Sequence, residues 1–213
     1  SFFYQQNPDL CFQKVEENFA YPVFIKPASS GSSLGLFRAE NRLELEKGLN
    51  QAFCFDEKVL VEKMMVGQEY AVGVIGNHQL EVSVPAQFMS SNPLIFNYEA
   101  KFGPQGLKDL IPAPLNPKET KMLQEFSLKV YQALELSVMA RVDSFIQDGQ
   151  CFFNEVNTIP GFGGHSVFNQ LWEFHHIDKA QLIKKLADYA LERKKNKAKL
   201  TYQFLNSFSS SSH

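Results

Sequence analysis

The stretch ARVDSFIQDGQCFFNEVNTIPG, residues 140–161, decides the fold, because it predicts a β-hairpin with polar side chains where an ordinary strand carries apolar ones. Two short apolar runs flank the dipeptide Asp148-Gly149, which is typical of a tight turn between antiparallel strands. Four polar residues are set into these runs: Arg141, Asp143, Glu155 and Asn157. Their positions require either a ligand or exposure to solvent.

The length of the turn determines which of these side chains share a face of the hairpin. A two-residue loop places Asp143 opposite Asn154, whereas a three-residue loop pairs Gln147 with Cys151 and places Asp143 opposite Glu155. A shift of one residue turns every side chain to the other face, so the two registers give different sites. We favour the three-residue loop because it gathers the four polar residues on one face. The rings of Phe145 and Phe153 then join them, and the other face carries Val142, Ile146, Phe152 and Val156.

Two carboxylates directly opposite each other have Cβ atoms about 5 Å apart and repel, so we expect a cation between Asp143 and Glu155. Oxygen ligands from Asp, Glu and Asn, without His or Cys, favour Mg²⁺ over zinc. A solvent-facing polar strand in which Arg141 neutralises the acids is the alternative. The continuation TIPGFGGHS, residues 158–166, favours a ligand site, because a Pro-Gly turn and further glycines present backbone donors.

A small-residue loop precedes the hairpin in the chain. The segment KPASSGSSLG, residues 26–35, lies between two predicted strands and offers backbone N–H groups for a phosphate, with Lys26 as a fixed cation beside them. It lacks the Walker pattern, and by itself it is more typical of a flexible hairpin loop than of a phosphate site.

Two acids and a lysine complete the pattern. Glu62 lies near the end of the predicted strand KVLVEKM, and Glu69 follows seven residues later. Such acids accept hydrogen bonds from adenine or ribose, but they also occur on ordinary surfaces. Lys101 lies in NYEAKF, within a long irregular stretch at residues 85–114. Loops of this length are often functional lids, so Lys101 is placed to move over a phosphate.

The composition excludes several classes of protein. With 213 residues, 44% of them hydrophobic, the chain can bury a core and form one or two domains. With a net charge of −2, the chain has no excess of positive charge that would attract nucleic acid or an acidic membrane, so we expect neither as a partner. Three scattered cysteines without a CxxC pair fit a reducing compartment. No apolar run of membrane-spanning length and no leader after Ser1 occur, so we expect a cytoplasmic protein.

Alternating strands and helices predict an α+β fold. One helix begins at Asn116, where Pro117 and Glu119 complete a capping pattern, and Asp178 caps the last helix. The positions that we expect to be buried on the helices include Leu43, Leu134 and Ile183. The expected division is a phosphate-loop subdomain at 1–65, a metal- and substrate-binding subdomain at 66–195 and a disordered tail at 196–213.

The order of these features, phosphate loop, strand-end acid, mobile lysine and metal hairpin, resembles the ATP-grasp fold, in which two α+β subdomains clamp ATP between antiparallel sheets. More closely, YPVFIKPASSGSSLG, VLVEK, YEAKF, ARVD, NEVNTIPGF and LADYALER resemble the D-alanine–D-alanine ligase family. The likeness runs from about Phe19 to Arg193, and the combination of NEVNTIPGF with YEAKF is highly specific.

The resemblance implies a role for each matching residue. Lys26, Ser32 and Lys101 would contact the phosphates of the nucleotide. Glu62 and the backbone of Lys63 and Met65 would bind adenine, and Glu69 would bind the ribose. Two Mg²⁺ ions, with Mn²⁺ as a substitute, would be bound by Asp143, Glu155 and Asn157. Arg141 and the Gly161 N–H would stabilise an oxyanion, with Ser32 also in the catalytic set, and Ser166 and Phe102 would form the second-substrate site.

The implied reaction begins when ATP phosphorylates the carboxylate of one D-alanine. The amine of a second D-alanine then attacks the acyl phosphate, and the dipeptide is used for peptidoglycan in a bacterial cytoplasm. The family also has an N-terminal domain that would lie upstream of Ser1, so we expect this chain to be a fragment that is inactive alone. A homodimer of the full-length enzyme is compatible with this assignment.

One departure and three alternatives stay open. The family usually has tyrosine where this chain has Phe102, and relatives with phenylalanine also accept D-lactate, which leaves the nucleophile undetermined. The alternatives are another ATP-grasp carboxylate–amine ligase, a nucleotide-binding module that does not catalyse, and a purely structural α+β domain.

Overall fold

A computed structural model describes residues 2–4, 8–31, 34–89, 109–164 and 166–200. The chain divides into two compact units. The first contains the described residues up to Gly67 together with Met89, and the second contains Gln68–Phe88 and the described residues from Asp109 onward. Three of the predicted site residues lie outside the described residues: Ser32, Lys101 and Phe102.

The first unit is a four-stranded antiparallel sheet with helices packed on one face. In chain order its elements are β1 (Phe2–Tyr4), α1 (Pro8–Asn18), β2 (Val23–Pro27), β3 (Phe37–Ala39), α2 (Arg42–Ala52) and β4 (Lys58–Lys63). The strand order is β1-β4-β2-β3, and each neighbouring pair is antiparallel. The strands β2, β3 and β4 and the helix α2 follow the sequence prediction, whereas β1 and α1 were not predicted.

Alternation along the strands separates the core of this unit from its open face. Val23 and Ile25 of β2 and Val59 and Val61 of β4 are fully buried, because every second side chain of a strand points to the same side. Helix α2 packs on this face with Leu45, Leu49 and Ala52, and α1 adds Phe12 and Val15. The expectation that Leu43 is buried was wrong: it lies on the outer side of α2 and is 61% exposed.

The second unit contains the hairpin of residues 140–161. Its elements are β5 (Gln68–Gly76), β6 (Leu80–Val82), β7 (Ala86–Gln87), α3 (Pro117–Ala133), β8 (Val138–Gln147), β9 (Gln150–Asn157), α4 (Val167–Phe174) and α5 (Lys179–Ala198). The sheet order is β6-β5-β8-β9, and β7 pairs with β5. Among the described residues, no helix combines the length and apolarity that a membrane crossing requires.

Helices cover both faces of this sheet, and this explains why β5 is buried along almost its whole length. On one face Val72 and Val74 belong to clusters that contain Leu123 and Tyr131 of α3. On the other face Ile75 packs in a cluster with aromatic side chains of α4 and with Leu182 and Leu186 of α5. Leu171 of α4 extends this cover to Ala71, which pairs with Asp143. The polar residues of the hairpin therefore lie on the face of the sheet that α4 covers, beside the last residues that α4 contacts.

The predicted helix starts are confirmed. The Asn116 side chain accepts a hydrogen bond from the Glu119 backbone N–H, and the Glu119 carboxylate accepts one from the Asn116 backbone N–H. These two bonds form a capping box, with Pro117 in the first turn of α3. Asp178 and Gln181 form the same arrangement at α5. The burial expected for Leu134 and Ile183 was wrong, since these side chains are 49% and 50% exposed. Helix α5 continues to Ala198, past the expected start of the tail, and residues 201–213 lie outside the described residues.

The hairpin has a different turn from the one predicted, yet it gives the predicted register at the polar residues. Gln147 pairs with Gln150, so the loop has two residues, and Asp148 and Gly149 both have positive φ, 51° and 72°. The three-residue loop was therefore wrong. A β-bulge follows: Ser144 pairs with Phe153 but Asp143 pairs with Glu155, which makes Asn154 the extra residue. The bulge restores the pairs Asp143–Glu155 and Arg141–Asn157.

The bulge also exchanges two aromatic positions. Phe152 pairs with Phe145 and so shares the face of the polar residues, whereas Phe153 pairs with Ser144 and lies on the opposite face. The sequence analysis had placed these two phenylalanines the other way round, because it did not include a bulge.

Candidate active site

An ion pair between Arg141 and Asp143 lies at the centre of the polar face. Arg141 Nε donates to Asp143 Oδ1 over 2.8 Å, and Nη2 donates to Oδ2 over 2.6 Å. The side chain of Asp143 is 1% exposed and that of Arg141 is 17% exposed, so this part of the strand does not face solvent. Burial alone would lower the pKa of Arg141, but the hydrogen bonds and the charge of Asp143 raise this pKa above its ordinary value. The guanidinium therefore stays charged.

Asn157 brings the two acids together. Its Nδ2 donates a hydrogen bond of 3.1 Å to Asp143 Oδ2 and a longer one, of 3.4 Å, to Glu155 Oε1. The three predicted metal-binding side chains therefore converge, as the sequence analysis expected. Among the residues that the structure describes, no group of three or more His, Cys, Asp or Glu side chains is placed to hold a metal ion, and this set itself consists of two acids and one amide.

The donor set fits a hard divalent cation. The amide hydrogens of Asn157 occupy the space between two carboxylates, which is where positive charge is needed. The oxygen and nitrogen atoms of an asparagine amide exchange places by rotation about one bond, so Asn157 can offer its oxygen to a cation in the same space. Carboxylate and amide oxygens are ligands that Mg²⁺ prefers.

Glu69 of β5 lies on the same face of the sheet, since it pairs with Phe145 of β8. It is 3% exposed, and its Oε1 accepts a hydrogen bond of 2.6 Å from Nδ2 of Asn154. The ring of Phe88 lies 5.5 Å from Arg141 Cζ, and the Phe88 N–H donates to the Glu69 carbonyl over 3.0 Å. Arg141 is thus held between an acid and an aromatic ring.

Asn154 was not among the predicted site residues. The signal that could have found it is the pair Asn154-Glu155, because two successive polar residues in a strand break the alternation and indicate a bulge.

The glycine-rich loop after β9 is held by the side chains of Ser166, the N-cap residue of α4, and of Asn169 within α4. The Ser166 hydroxyl donates to the carbonyl oxygen of Gly161, so the structure brings these two predicted residues together. Asn169 is 4% exposed, and its Nδ2 donates to the carbonyls of Phe162 and Gly163, both over 3.2 Å. Asn169 was not predicted, since nothing in the helical pattern of α4 distinguishes it from a surface amide.

In the first unit, Lys26 and Glu62 form an ion pair on the open face of the sheet. The Nζ–Oε2 distance is 2.7 Å, and the side chains are 27% and 38% exposed. Lys63 is the last residue of β4, and Met65 follows in the connection to β5. The predicted phosphate-binding cation and adenine-binding acid are therefore neighbours.

An acid that was not predicted lies beside the small-residue loop. Asp56 accepts hydrogen bonds from the backbone N–H groups of Lys58, over 3.1 Å, and Ser29, over 2.7 Å. These hydrogen bonds lower the pKa of Asp56 below its ordinary value, and the bond from Lys58 has the largest effect. Asp56 fixes the start of the loop that leads to Gly31.

Comparison with known proteins identifies the family. The family described as D-ala D-ala ligase C-terminus matches residues 3–188. The D-alanine–D-alanine ligase of Bacillus cytotoxicus is 37% identical over 200 residues, which cover 93% of this chain and 55% of the relative. That of Caldicellulosiruptor bescii is also 37% identical, over 201 residues, with the same two coverages. The chain therefore spans about half the length of these curated relatives.

Solved structures agree on the fold. VanG D-Ala:D-Ser ligase from Enterococcus faecalis superposes with a TM-score of 0.80 at 33% identity, over 88% of this chain and 55% of that one. The D-alanine–D-alanine ligase from Coxiella burnetii also has a TM-score of 0.80, and at 24% identity it supports the fold alone. The expected α+β ATP-grasp fold is confirmed. The chain belongs to the D-alanine–D-alanine ligase family and corresponds to the C-terminal region of its members.

Proposed function

We propose that this chain is the ATP-binding and catalytic part of a ligase that joins two D-alanine molecules through an acyl phosphate. The observation that carries the proposal is the convergence of Asp143, Glu155 and Asn157 beside the buried Arg141. A purely structural domain gains nothing from two opposed carboxylates, since like charges in cross-strand pairs destabilise a sheet. Family membership supplies the class of reaction.

Two Mg²⁺ ions would be held by Asp143, Glu155 and Asn157, with Glu155 shared and Mn²⁺ as a substitute. When bound, they would neutralise charge on the phosphates during transfer. Acyl phosphate formation is needed because a free carboxylate is a poor electrophile. The acids of the hairpin would therefore hold cations rather than move protons.

Arg141 and the backbone N–H of Gly161 would stabilise the negative charge that develops on the oxygen of the reacting carboxyl group. Such donors act best when they are fixed in advance, because no reorganisation is then needed during the reaction. Arg141 is fixed by Asp143 and Phe88, and the loop of Gly161 is fixed by Asn169 and Ser166.

ATP would be bound through the residues that the resemblance to the family implies. Lys26 would exchange Glu62 for a phosphate, and Glu62 would then accept from the adenine amino group, a change that a partly exposed ion pair permits at small cost. The backbone groups of Lys63 and Met65 would contact adenine, and Glu69 would bind the ribose. Ser32 and Lys101, outside the described residues, would contact the phosphates.

The second substrate would bind through Ser166 and near Phe102. The proposed nucleophile is D-alanine. D-lactate is an alternative because of Phe102, and D-serine is another because the structural relative VanG is named a D-Ala:D-Ser ligase. The first D-alanine would be bound by an upstream domain of the whole polypeptide, which is consistent with the partial coverage of the relatives. The dipeptide would serve peptidoglycan synthesis in a bacterial cytoplasm, and a homodimer of the whole enzyme is part of this proposal.

The test is phosphate release by the full-length polypeptide with ATP, Mg²⁺ and D-alanine, D-serine or D-lactate, together with detection of the coupled product. We expect release that depends on D-alanine and that is abolished by Lys101→Ala, with Glu46→Gln, on the exposed side of α2, as a control that leaves it unchanged. Nucleotide binding without release would instead favour a module that does not catalyse. Release with another carboxylate and amine, but not with D-alanine, would favour a different ATP-grasp ligase.

A further inference from the structure

The bulge in β9 joins two parts of the site that lie on different strands. In regular alternation Asn154 would point to the face opposite Glu155. As the extra residue of the bulge, it instead reaches over β8 to Glu69 on β5 and donates from Nδ2 to Oε1 over 2.6 Å. Two successive residues of one strand therefore serve two different acids: Asn154 contacts Glu69, and Glu155 faces Asp143.

We propose that Asn154 is a positioning residue that orients Glu69 and thereby sets the preference of the site for a ribonucleotide. The inference rests on the proposed function, because it takes Glu69 to be the acid that accepts from the ribose hydroxyls. It goes beyond that function in naming a residue that does not touch the nucleotide but determines how strongly the sugar is recognised.

Burial makes the orientation of Glu69 depend on the protein groups around it. A carboxylate that is 3% exposed loses most of its hydration, so its orientation is determined by its fixed donors. Asn154 supplies such a donor at a distance typical of a charge-assisted hydrogen bond. The amide is neutral, so it orients the carboxylate without removing the negative charge that a hydroxyl donor requires.

The bulge allows a strand residue, Asn154, to act as this donor, so the donor does not come from a loop. Asn154 is adjacent to Glu155 in the chain, so the same backbone distortion fixes the orientation of Glu69 and the pairing of Glu155 with Asp143. Supporting side chains on rigid elements hold a binding group more accurately than loops do.

The experiment compares the affinities of the chain for ATP and for 2′,3′-dideoxy-ATP, both with Mg²⁺, by calorimetry. The ratio of the two dissociation constants measures recognition of the ribose hydroxyls. We expect a ratio of about ten in the parent, the size of effect that a hydrogen bond to a charged group gives. Asn154→Ala should bring the ratio close to one by weakening ATP binding while leaving the dideoxy nucleotide unaffected. Asn50→Ala, at an exposed position of α2, is the matched control and should keep the parent ratio.

A merely structural role makes a different prediction. If Asn154 only maintains the bulge, Asn154→Ala weakens both nucleotides equally and the ratio stays at the parent value, which overturns the proposal. A nearly isosteric variant, Asn154→Asp, places a carboxylate against Glu69 and should also remove the preference, even if the alanine variant folds poorly. In a Glu69→Gln background, Asn154→Ala should have no further effect on the ratio, and a persistent effect would count against the proposal.

The two proposals fail in different ways. Absence of Mg²⁺-dependent ATP binding by the parent chain would overturn the proposed function and, with it, the role of Asn154. Binding with a ribose preference that Asn154→Ala and Asn154→Asp leave unchanged would overturn the role of Asn154 alone.

Discussion

Arg141 and Asp143, two residues apart on β8, form a bidentate ion pair with donor–acceptor distances of 2.8 and 2.6 Å, and this pair is almost completely buried. The guanidinium compensates the charge of Asp143 on a face where Glu155 adds a second carboxylate directly opposite. Without this cation, two acids would face each other with only the amide of Asn157 between them. The protein itself therefore supplies a positive charge that compensates Asp143.

Removal of Arg141 tests this statement. We expect Arg141→Met to lower the free energy of unfolding by about 3–5 kcal/mol in the absence of divalent cations, because Asp143 is left as an uncompensated buried charge. The measurement is urea denaturation followed by circular dichroism. The matched control is Lys121→Met, which removes an exposed ion pair with Glu125 and should cost about 0.5 kcal/mol or less.

Added Mg²⁺ should restore part of the stability of Arg141→Met, since a cation bound to Asp143 replaces the lost charge. The parent should gain less from the same addition. A variant as stable as the parent without Mg²⁺ would mean that the ion pair does not compensate Asp143.

A second ion-pair cluster predicts a dependence of stability on acid pH. Glu81 of β6 accepts from Lys185 over 2.6 and 2.9 Å and from the Tyr189 hydroxyl over 2.6 Å, both residues of α5. Burial alone would raise the pKa of Glu81, but these hydrogen bonds outweigh it and lower the pKa below its ordinary value of 4.5. Because the folded pKa is the lower one, this contribution to stability is complete above pH 4.5 and is lost as the pH falls through the folded pKa.

We therefore expect Glu81→Gln to be less stable than the parent at pH 7 and to approach the stability of the parent at acid pH. Urea denaturation at a series of pH values between 7 and the acid limit of folding provides the comparison. Tyr189→Phe, which removes one of the hydrogen bonds, should give a smaller effect with the same sign. Parallel pH profiles for the parent and Glu81→Gln would contradict the assignment.

The capping box of α3 predicts a local effect on stability. Asn116→Ala removes the side-chain acceptor for the Glu119 N–H, so we expect the free energy of unfolding to fall by about 1 kcal/mol. Asn50→Ala, on the exposed side of α2, is the control and should change stability by less than about 0.5 kcal/mol. Equal effects of the two substitutions would show that the cap contributes nothing beyond helix propensity.

Local signals in the sequence were sufficient for the elements that depend on neighbouring residues. The caps at Asn116 and Asp178 follow from side chains within one helical turn, and both are confirmed. The burial of helix faces depends on what packs against them, and a local pattern does not show this, which explains the wrong expectations for Leu43, Leu134 and Ile183.

The site depended on an effect that a local pattern does not determine. The turn at Asp148-Gly149 is the short one, and only the bulge at Asn154 restores the pairing that the long turn was expected to give. The predicted partners of Asp143 and Arg141 are therefore correct, although the predicted turn was wrong. The contact of Asn154 with Glu69 spans 85 positions, and the packing of Asn169 against the glycine-rich loop depends on the docking of α4, so neither is visible in a strand or helix pattern.

The most direct test of the central claim, that the polar face of β8 and β9 holds Mg²⁺ for a nucleotide, is a calorimetric titration of the chain with ATP in the presence and absence of Mg²⁺, repeated with Glu155→Gln. We predict binding that requires Mg²⁺ in the parent and is weakened about tenfold or more in Glu155→Gln, while urea denaturation without metal shows the variant to be folded. Equal ATP affinity with and without Mg²⁺, or an unchanged affinity in a folded Glu155→Gln variant, would contradict the account.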